Sequence, residues 1–237
     1  KVDFIDASAL WGLDTFESKE QIEKKLGRKN LSTVLIGPAG EKRARIAAMM
    51  VDMGRFTGRG GAGAVMGSKN LKGITVSGTK KIEVARSKEF KERIREGVSA
   101  INTSIAVFPY KLMGTTLAIS REFESGDVPT KNFQLGMWEK SKDLDGMKMA
   151  AKSYFKEMPP TCFACPVRCS KFTEVPDGPF KVDVGPAPQY ETLAALGSNC
   201  LNNNVESVIK SNDLCSRYGI DTISTGVTIS FIMEAYE

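Results

Sequence analysis

Histidine is absent from all 237 residues. That removes His-dependent catalytic triads and His metal ligands from this stretch of sequence, though not from residues outside it. No run of about 18 apolar residues is present to span a membrane, and the opening KVDFIDASALWG lacks the charged and apolar regions of a signal peptide. Charge of one sign is never gathered into a block. The 33 Lys and Arg are interspersed with 28 Asp and Glu, so the net charge of +5 does not imply a groove for nucleic acid. Internal repeats and low-complexity tracts are missing as well. Cysteines are few, 5 in all. An odd number, with three crowded between positions 162 and 169, fits metal binding in a reducing compartment better than a disulfide framework. The expectation is a cytoplasmic chain with neither membrane nor nucleic-acid partners. Its length and 41% hydrophobic content suffice for one large domain or two smaller ones. Both ends read as cut: the first residue is not Met, and the closing ISFIMEAYE is apolar and helix-periodic with no Gly or Pro to stop it, so more sequence is expected to follow.

The pattern of apolar residues divides the chain near residue 86. Residues 14–27 predict a helix, with Asp14 or Ser18 as cap, Ile22 and Leu26 four apart, and Gly27 as stop. A strand at 33–36 runs into Gly37-Pro38-Ala39-Gly40, which turns the chain into a second helix at 46–53. The densest glycine cluster, 58–67, follows, and then β-like runs at 73–78 and 81–84. From about 87 the signal becomes helical. Phe90, Ile94, Val98 and Ile101 mark one apolar face; Val205, Val208 and Ile209 mark a second; Ile223, Val227 and Ile232 mark a third. Between these helices lies a belt rich in Pro and Gly, 126–136 and 159–188, where loops and chemistry are expected. The fold class is therefore α+β, a sheet-containing part followed by a mostly helical one.

Two motifs carry chemistry. Cys162-Phe163-Ala164-Cys165-Pro166-Val167-Arg168-Cys169 spaces three thiols by two and then three residues, which lets one loop offer three thiolates to a cubane cluster while Pro166 restrains the backbone. A zinc knuckle completed by Cys200 or Cys215 is the alternative. Those two cysteines, each in or beside a helical apolar pattern, otherwise read as small buried hydrophobes. Arg168 is placed to screen a cluster's charge. The second motif, Gly58-Arg59-Gly60-Gly61-Ala62-Gly63-Ala64-Val65-Met66-Gly67-Ser68-Lys69-Asn70, contains a formal G-x-G-x-x-G, with Glu83 about 20 residues further on as a dinucleotide unit requires. The predicted helix before it and strand after it argue against that reading, and Ser68-Lys69 after Gly67 rules out a P-loop. Backbone able to approach a phosphate-bearing ligand remains, with Arg59, Lys69 and Lys72 for charge-assisted bonds; a tight structural turn is the plainer reading.

The same stretch, continued through Leu71-Lys72, closely resembles the signature of the aldehyde ferredoxin oxidoreductase family. Five further islands keep that family's order: Trp11-Gly12-Leu13-Asp14-Thr15, Ile36-Gly37-Pro38-Ala39-Gly40-Glu41, Gly126-Asp127-Val128-Pro129-Thr130-Lys131-Asn132-Phe133, Tyr190-Glu191-Thr192-Leu193, and Gly219-Ile220-Asp221-Thr222-Ile223-Ser224. The three cysteines fall among them. The resemblance implies that residues 1–86 are the C-terminal part of a pterin-binding base domain, and that 87–237 are a mostly helical domain carrying the cluster loop, incomplete at its C-terminus. It implies a tungsten (or molybdenum) bis-pterin cofactor, magnesium bridging the pterins, and a 4Fe–4S cluster. Arg59, Gly60, Gly61, Ala62 and Gly63 would contact pterin phosphate or the magnesium. Cys162, Cys165 and Cys169 would ligate the cluster, whose fourth cysteine lies in a later domain. Glu191 would be the carboxylate near the metal, active in proton transfer; an acid stabilised by a helix dipole is the other reading. Gly219 and Asp221 would belong to a second pterin-binding segment, in which Ser216 departs from the family's usual Asp. The implied reaction oxidises a small aldehyde to its carboxylic acid and passes electrons to ferredoxin or another electron-transfer subunit. A homodimer is compatible with this scheme. The tungsten subunit of a benzoyl-CoA reductase complex, and a non-catalytic iron–sulfur or zinc-binding module, are the rival readings.

Overall fold

The computed structural model describes residues 2–28, 31–52, 54–156 and 162–237. Helix α1, Thr15–Leu26, begins where Asp14 accepts the Glu17 N–H at 2.8 Å and Glu17 accepts the Asp14 N–H at 2.9 Å, a reciprocal capping box. It ends at Gly27, whose left-handed φ of 61° suits a residue without Cβ. Strand β1, Ser32–Ile36, leads into the one-turn helix α2, Pro38–Glu41. Strands β2, Met49–Val51, and β3, Arg55–Thr57, precede helix α3, Ala62–Ser68, and strand β4, Gly73–Val76.

The four strands form one antiparallel sheet in the order β3-β2-β1-β4. Leu35 and Met50 sit opposite each other and are fully buried, and Gly73 opposite Leu35 leaves room for its side chain. The helix expected at 46–53 is thus a strand, and its expected last residue, Met53, lies outside the described residues. The apolar run is too short for its period to separate helix from strand, and the open edge of β1 captured it. No strand forms at 81–84, where Ile82 is 90% exposed.

The second half opens with α4, Ser87–Thr103, followed by α5, Phe108–Met113, α6, Ala118–Glu124, and α7, Gly146–Ala151. Helix α4 carries the predicted apolar face, yet none of its residues is buried. Strands β5, Phe155–Lys156, β6, Phe172–Val175, and β7, Val182–Pro186, make a second antiparallel sheet inside the belt expected to be loop. Residues 159–161 of that belt lie outside the described residues. Helices α8, Tyr190–Leu196, α9, Val205–Tyr218, and α10, Thr222–Tyr236, complete the chain.

Helix α8 is the centre of this half, with residues 192–196 all buried. Leu193 and Leu196 join Ile119, Leu144, Met149, Val175, Val182, Val205, Val208 and Ile209 in one core. Removing each such side chain from water contributes about 1.5–3 kcal/mol. Helix α10 packs on α8 most closely through small residues, with Ile223 and Val227 half-buried beside them. Gly226 and Ser230 are its buried positions, and a Cβ on Gly226 would collide with the Ala195 backbone, while Ile232 is exposed. Among the described residues no helix is long and apolar enough to cross a membrane.

Candidate functional site

The glycine loop is built by close backbone contacts with three other segments. Ala48 N–H donates to Gly219 O at 2.8 Å, Asp221 N–H donates to Ile46 O at 2.9 Å, and Ala47 bridges Ile220. These bonds sew the turn between α9 and α10 onto the chain entering β2. Gly37, Gly40, Gly61, Gly63 and Gly67 are explained by this packing. A Cβ on Gly37 would strike Tyr218 O, on Gly61 Arg45 O, on Gly63 Ala48 O, and on Gly67 Gly40 O. Gly219 caps α9 at φ 68°, and its carbonyl is occupied by Ala48.

Gly60 differs from these. Its φ is +99°, it is exposed, and nothing lies within 4 Å of where its Cβ would stand. Arg59 beside it is exposed, and its Nε lies 3.8 Å from Oδ2 of Asp221. Asp221 is buried and caps α10, accepting from Ser224 N at 2.9 Å and Ser224 Oγ at 2.5 Å. Of the predicted ligand-facing set, the structure therefore turns Arg59 and Gly60 outward, leaves Ala62 half-buried, and uses Gly61, Gly63 and Gly219 for packing.

Two expectations about this loop need correction. Its glycines follow a strand, β3, and open a helix, α3, so the order of elements does match a dinucleotide loop. The sheet nevertheless excludes that fold, being antiparallel throughout rather than the parallel doubly wound type. The N–H groups of Gly63, Ala64 and Val65 are also already spent on Ala47 O and Gly61 O. Lys72 is not available to a ligand, either. It is 2% exposed, pairs with Glu41 at 2.5 Å and donates to Leu13 O at 3.0 Å, while Glu41 also accepts the Gly12 N–H. A buried ion pair that also bonds Leu13 O and the Gly12 N–H ties the segment around Leu13, helix α2 and the start of β4 together. Lys69 is exposed as expected.

Glu191 stands exposed in the first turn of α8, where a carboxylate is stabilised by the helix dipole. Its surroundings are fixed on both sides. Thr115 Oγ1 accepts the Tyr190 N–H at 3.1 Å and donates to Gln189 at 2.7 Å; Thr192 Oγ1 meets Thr222 Oγ1 at 2.8 Å, one residue beyond Asp221. The starts of α8 and α10 are thus joined, and Arg59 reaches the second of them.

The cysteine loop adjoins this assembly. Cys165 N–H donates to Cys162 O at 3.0 Å, and left-handed Ala164 (φ 52°) and Arg168 (φ 54°) turn the backbone. Backbone N–H groups of Arg168 and Val167 hold the Cys165 thiol below its ordinary value, with a further contribution from the charge of Arg55. Cys165 and Arg168 line an open cleft of about 630 Å³ together with Val98, Asn102 and Lys111. Three soft thiol donors on one short loop fit an iron–sulfur cluster chemically and fall one short of its four ligands. Among the described residues, however, no three His, Cys, Asp or Glu side chains stand together as a set able to hold a metal ion. Cys200 and Cys215 sit elsewhere in the helical half. Burial pushes both thiols up to about 11, and Cys200 Sγ donates to Ala195 O and Gly226 O.

Arg55, Thr115 and Thr192 were not legible as site residues. Each gains its role from a partner distant in sequence; Arg55 and Thr115 fall in no motif, and Thr192, though inside the 190–193 island, carries no signal of its own there.

Comparison with known proteins agrees with this architecture. The family model for aldehyde ferredoxin oxidoreductase, domains 2 and 3, matches residues 89–237, and that for the N-terminal domain matches 1–78. The tungsten-containing aldehyde ferredoxin oxidoreductase of Thermococcus kodakarensis is 39% identical over 237 residues, and that of Pyrococcus abyssi 40%. All of this chain is covered in both alignments, but it spans only 38% of the length of either relative. The active site complex BamBC of benzoyl coenzyme A reductase, solved with 1,5 dienoyl-CoA, shares the fold at a TM-score of 0.73 and 22% identity, over 99% of this chain and 36% of that one. The chain belongs to the aldehyde ferredoxin oxidoreductase family.

Proposed function

We propose that this chain contributes the glycine loop of a tungsten-pterin site and three cluster thiolates to an oxidoreductase that converts aldehydes to carboxylic acids and passes the electrons to ferredoxin. The observation that carries this reading is the juxtaposition of Arg59 and Gly60, the capped start of α10 at Asp221, and the start of α8 bearing Glu191, with the cysteine loop beside them. Relatives near 40% identity, named for tungsten and for aldehyde and ferredoxin chemistry, favour it over a benzoyl-CoA reductase role, for which the shared fold alone speaks.

In the reaction, an aldehyde and water give a carboxylic acid, two protons and two electrons. The metal and its pterin ligands, when bound, would supply the two-electron chemistry. The chain's own residues do the rest. Gly60 offers backbone that a ligand can approach without meeting a Cβ. The Arg59 guanidinium presents a fork matched to phosphate, with Asp221 Oδ2 3.8 Å from its Nε. Glu191 accepts a proton released during hydration or oxidation of the carbonyl. Cys162, Cys165 and Cys169 would supply three thiolate ligands to a 4Fe–4S cluster, which needs one more ligand than this loop offers.

The test uses full-length protein purified without oxygen. Elemental analysis for W, Mo, Fe and Zn is combined with fluorescence of released, oxidised pterin and with aldehyde-dependent reduction of a viologen dye. Tungsten, pterin, iron and dye reduction are expected; zinc alone, with no pterin, contradicts the proposal.

A further inference from the structure

The turn between β2 and β3 is pressed against the second sheet. A Cβ on Gly54 would overlap the ring of Pro186 at the end of β7. In the next residue, Arg55, Nη1 donates to Oγ of Ser170, a buried hydroxyl immediately after Cys169. Arg55 also opens the strand that runs into the glycine loop. One side chain thus spans the two candidate sites. On its other side Cys169 is backed by Gly114, whose φ of 67° and closeness to Cys169 O leave no space for a Cβ. The end of the cysteine loop is gripped from two directions.

We propose that Arg55 is a positioning residue of the cysteine loop, holding it against the glycine loop and setting a permanent positive charge beside the metal group that the three thiolates carry. This inference rests on the reading of that loop as a cluster site. A guanidinium stays protonated at any working pH. Reduction adds one negative charge to a cluster, so a fixed cation nearby stabilises the reduced form and raises its potential. The hydroxyl of Ser170 keeps the guanidinium in place.

The test is an EPR-monitored redox titration of the iron-loaded, full-length protein. Arg55→Gln is expected to make reduction about tenfold less favourable, a downward shift of about 59 mV for a one-electron couple. Arg55→Lys, which keeps the charge, is expected to recover at least half of that shift. A Gln variant that titrates with the wild type overturns the proposal, and so does a Lys variant as low as Gln. If Arg55→Gln does not fold, Ser170→Ala decides. It leaves the charge but removes one of its acceptors, and a downward shift of about threefold supports the role, whereas an unchanged potential overturns it. Iron analysis of the same samples separates the two levels. A wild type without iron removes the cluster reading and this inference together, while iron present at an unmoved potential removes only the inference.

Discussion

The glycine loop and the cysteine loop are linked through Arg55, which opens the strand before the one and meets Ser170 at the end of the other, yet they are specified in different ways. The glycine loop is shaped by its own chain: backbone carbonyls of Gly40, Arg45, Ala48 and Tyr218 occupy the spaces where side chains would be, and an ion pair buried behind it fixes the base. The cysteine loop is shaped by two turns and gripped at Cys169 and Ser170, while its thiols remain exposed or half-buried. Substitutions in the first should therefore register as stability, and in the second as ligand chemistry. Gly60 is the exception that joins the two classes, a glycine in the first loop with open space before it.

The largest effect is expected behind the glycine loop. Lys72→Met leaves Glu41 buried and uncompensated, and should cost about 3–5 kcal/mol in chemical denaturation of the full-length protein. A loss below about 1 kcal/mol would mean that the pair does not anchor the loop. Next comes Gly67→Ala. Its new Cβ would drive into Gly40 O, and overpacking against backbone should cost about 3 kcal/mol by the same measurement. Gly60→Ala sharpens the contrast within one loop. It meets no neighbour and should cost only about 1 kcal/mol, from its positive φ, while lowering the pterin retained after gel filtration. Equal destabilisation by the two alanines would erase the distinction between packing glycines and an open one.

The smallest effect on stability, and the sharpest on reactivity, concerns the cysteines. After oxidative removal of iron, iodoacetamide at pH 8 should label Cys165 first, because its backbone N–H partners favour the thiolate. Cys200 and Cys215, with thiols raised to about 11, carry about one thiolate in a thousand at that pH and should stay unlabelled until the protein unfolds. Raising the pH towards 11 should expose their reactivity progressively. Peptide mass spectrometry reads the order.

Much of this was legible from local chemistry. Asp14, Glu17 and Gly27 bounded α1 because capping is decided within a few residues. The order of short motifs identified the family, whereas the approach of Arg59 to Asp221, far apart in sequence, came only from the fold. What escaped depended on tertiary partners. Residues 49–51 are a strand because β1 offered an open edge, not because their pattern demanded one. Helix α10 packs most closely through Gly226 and Ser230, with Ile223 and Val227 half-buried on the same face, and only Ile232 pointed elsewhere. Lys72 read as a surface cation until Glu41 was found beside it, and Arg55 had no motif around it at all. The second sheet hid inside a belt whose Pro and Gly content suggested loop.

In this proposal two different groups belong to two loops, the glycine loop and the cysteine loop. The most direct test is metal analysis of anaerobically purified full-length protein carrying Arg59→Ala or Cys165→Ser, beside the wild type. Arg59→Ala is expected to lose tungsten and pterin but keep iron, and Cys165→Ser to lose iron from a protein that remains folded. Tungsten and iron lost together in Arg59→Ala, or iron unchanged in Cys165→Ser, would contradict the proposal.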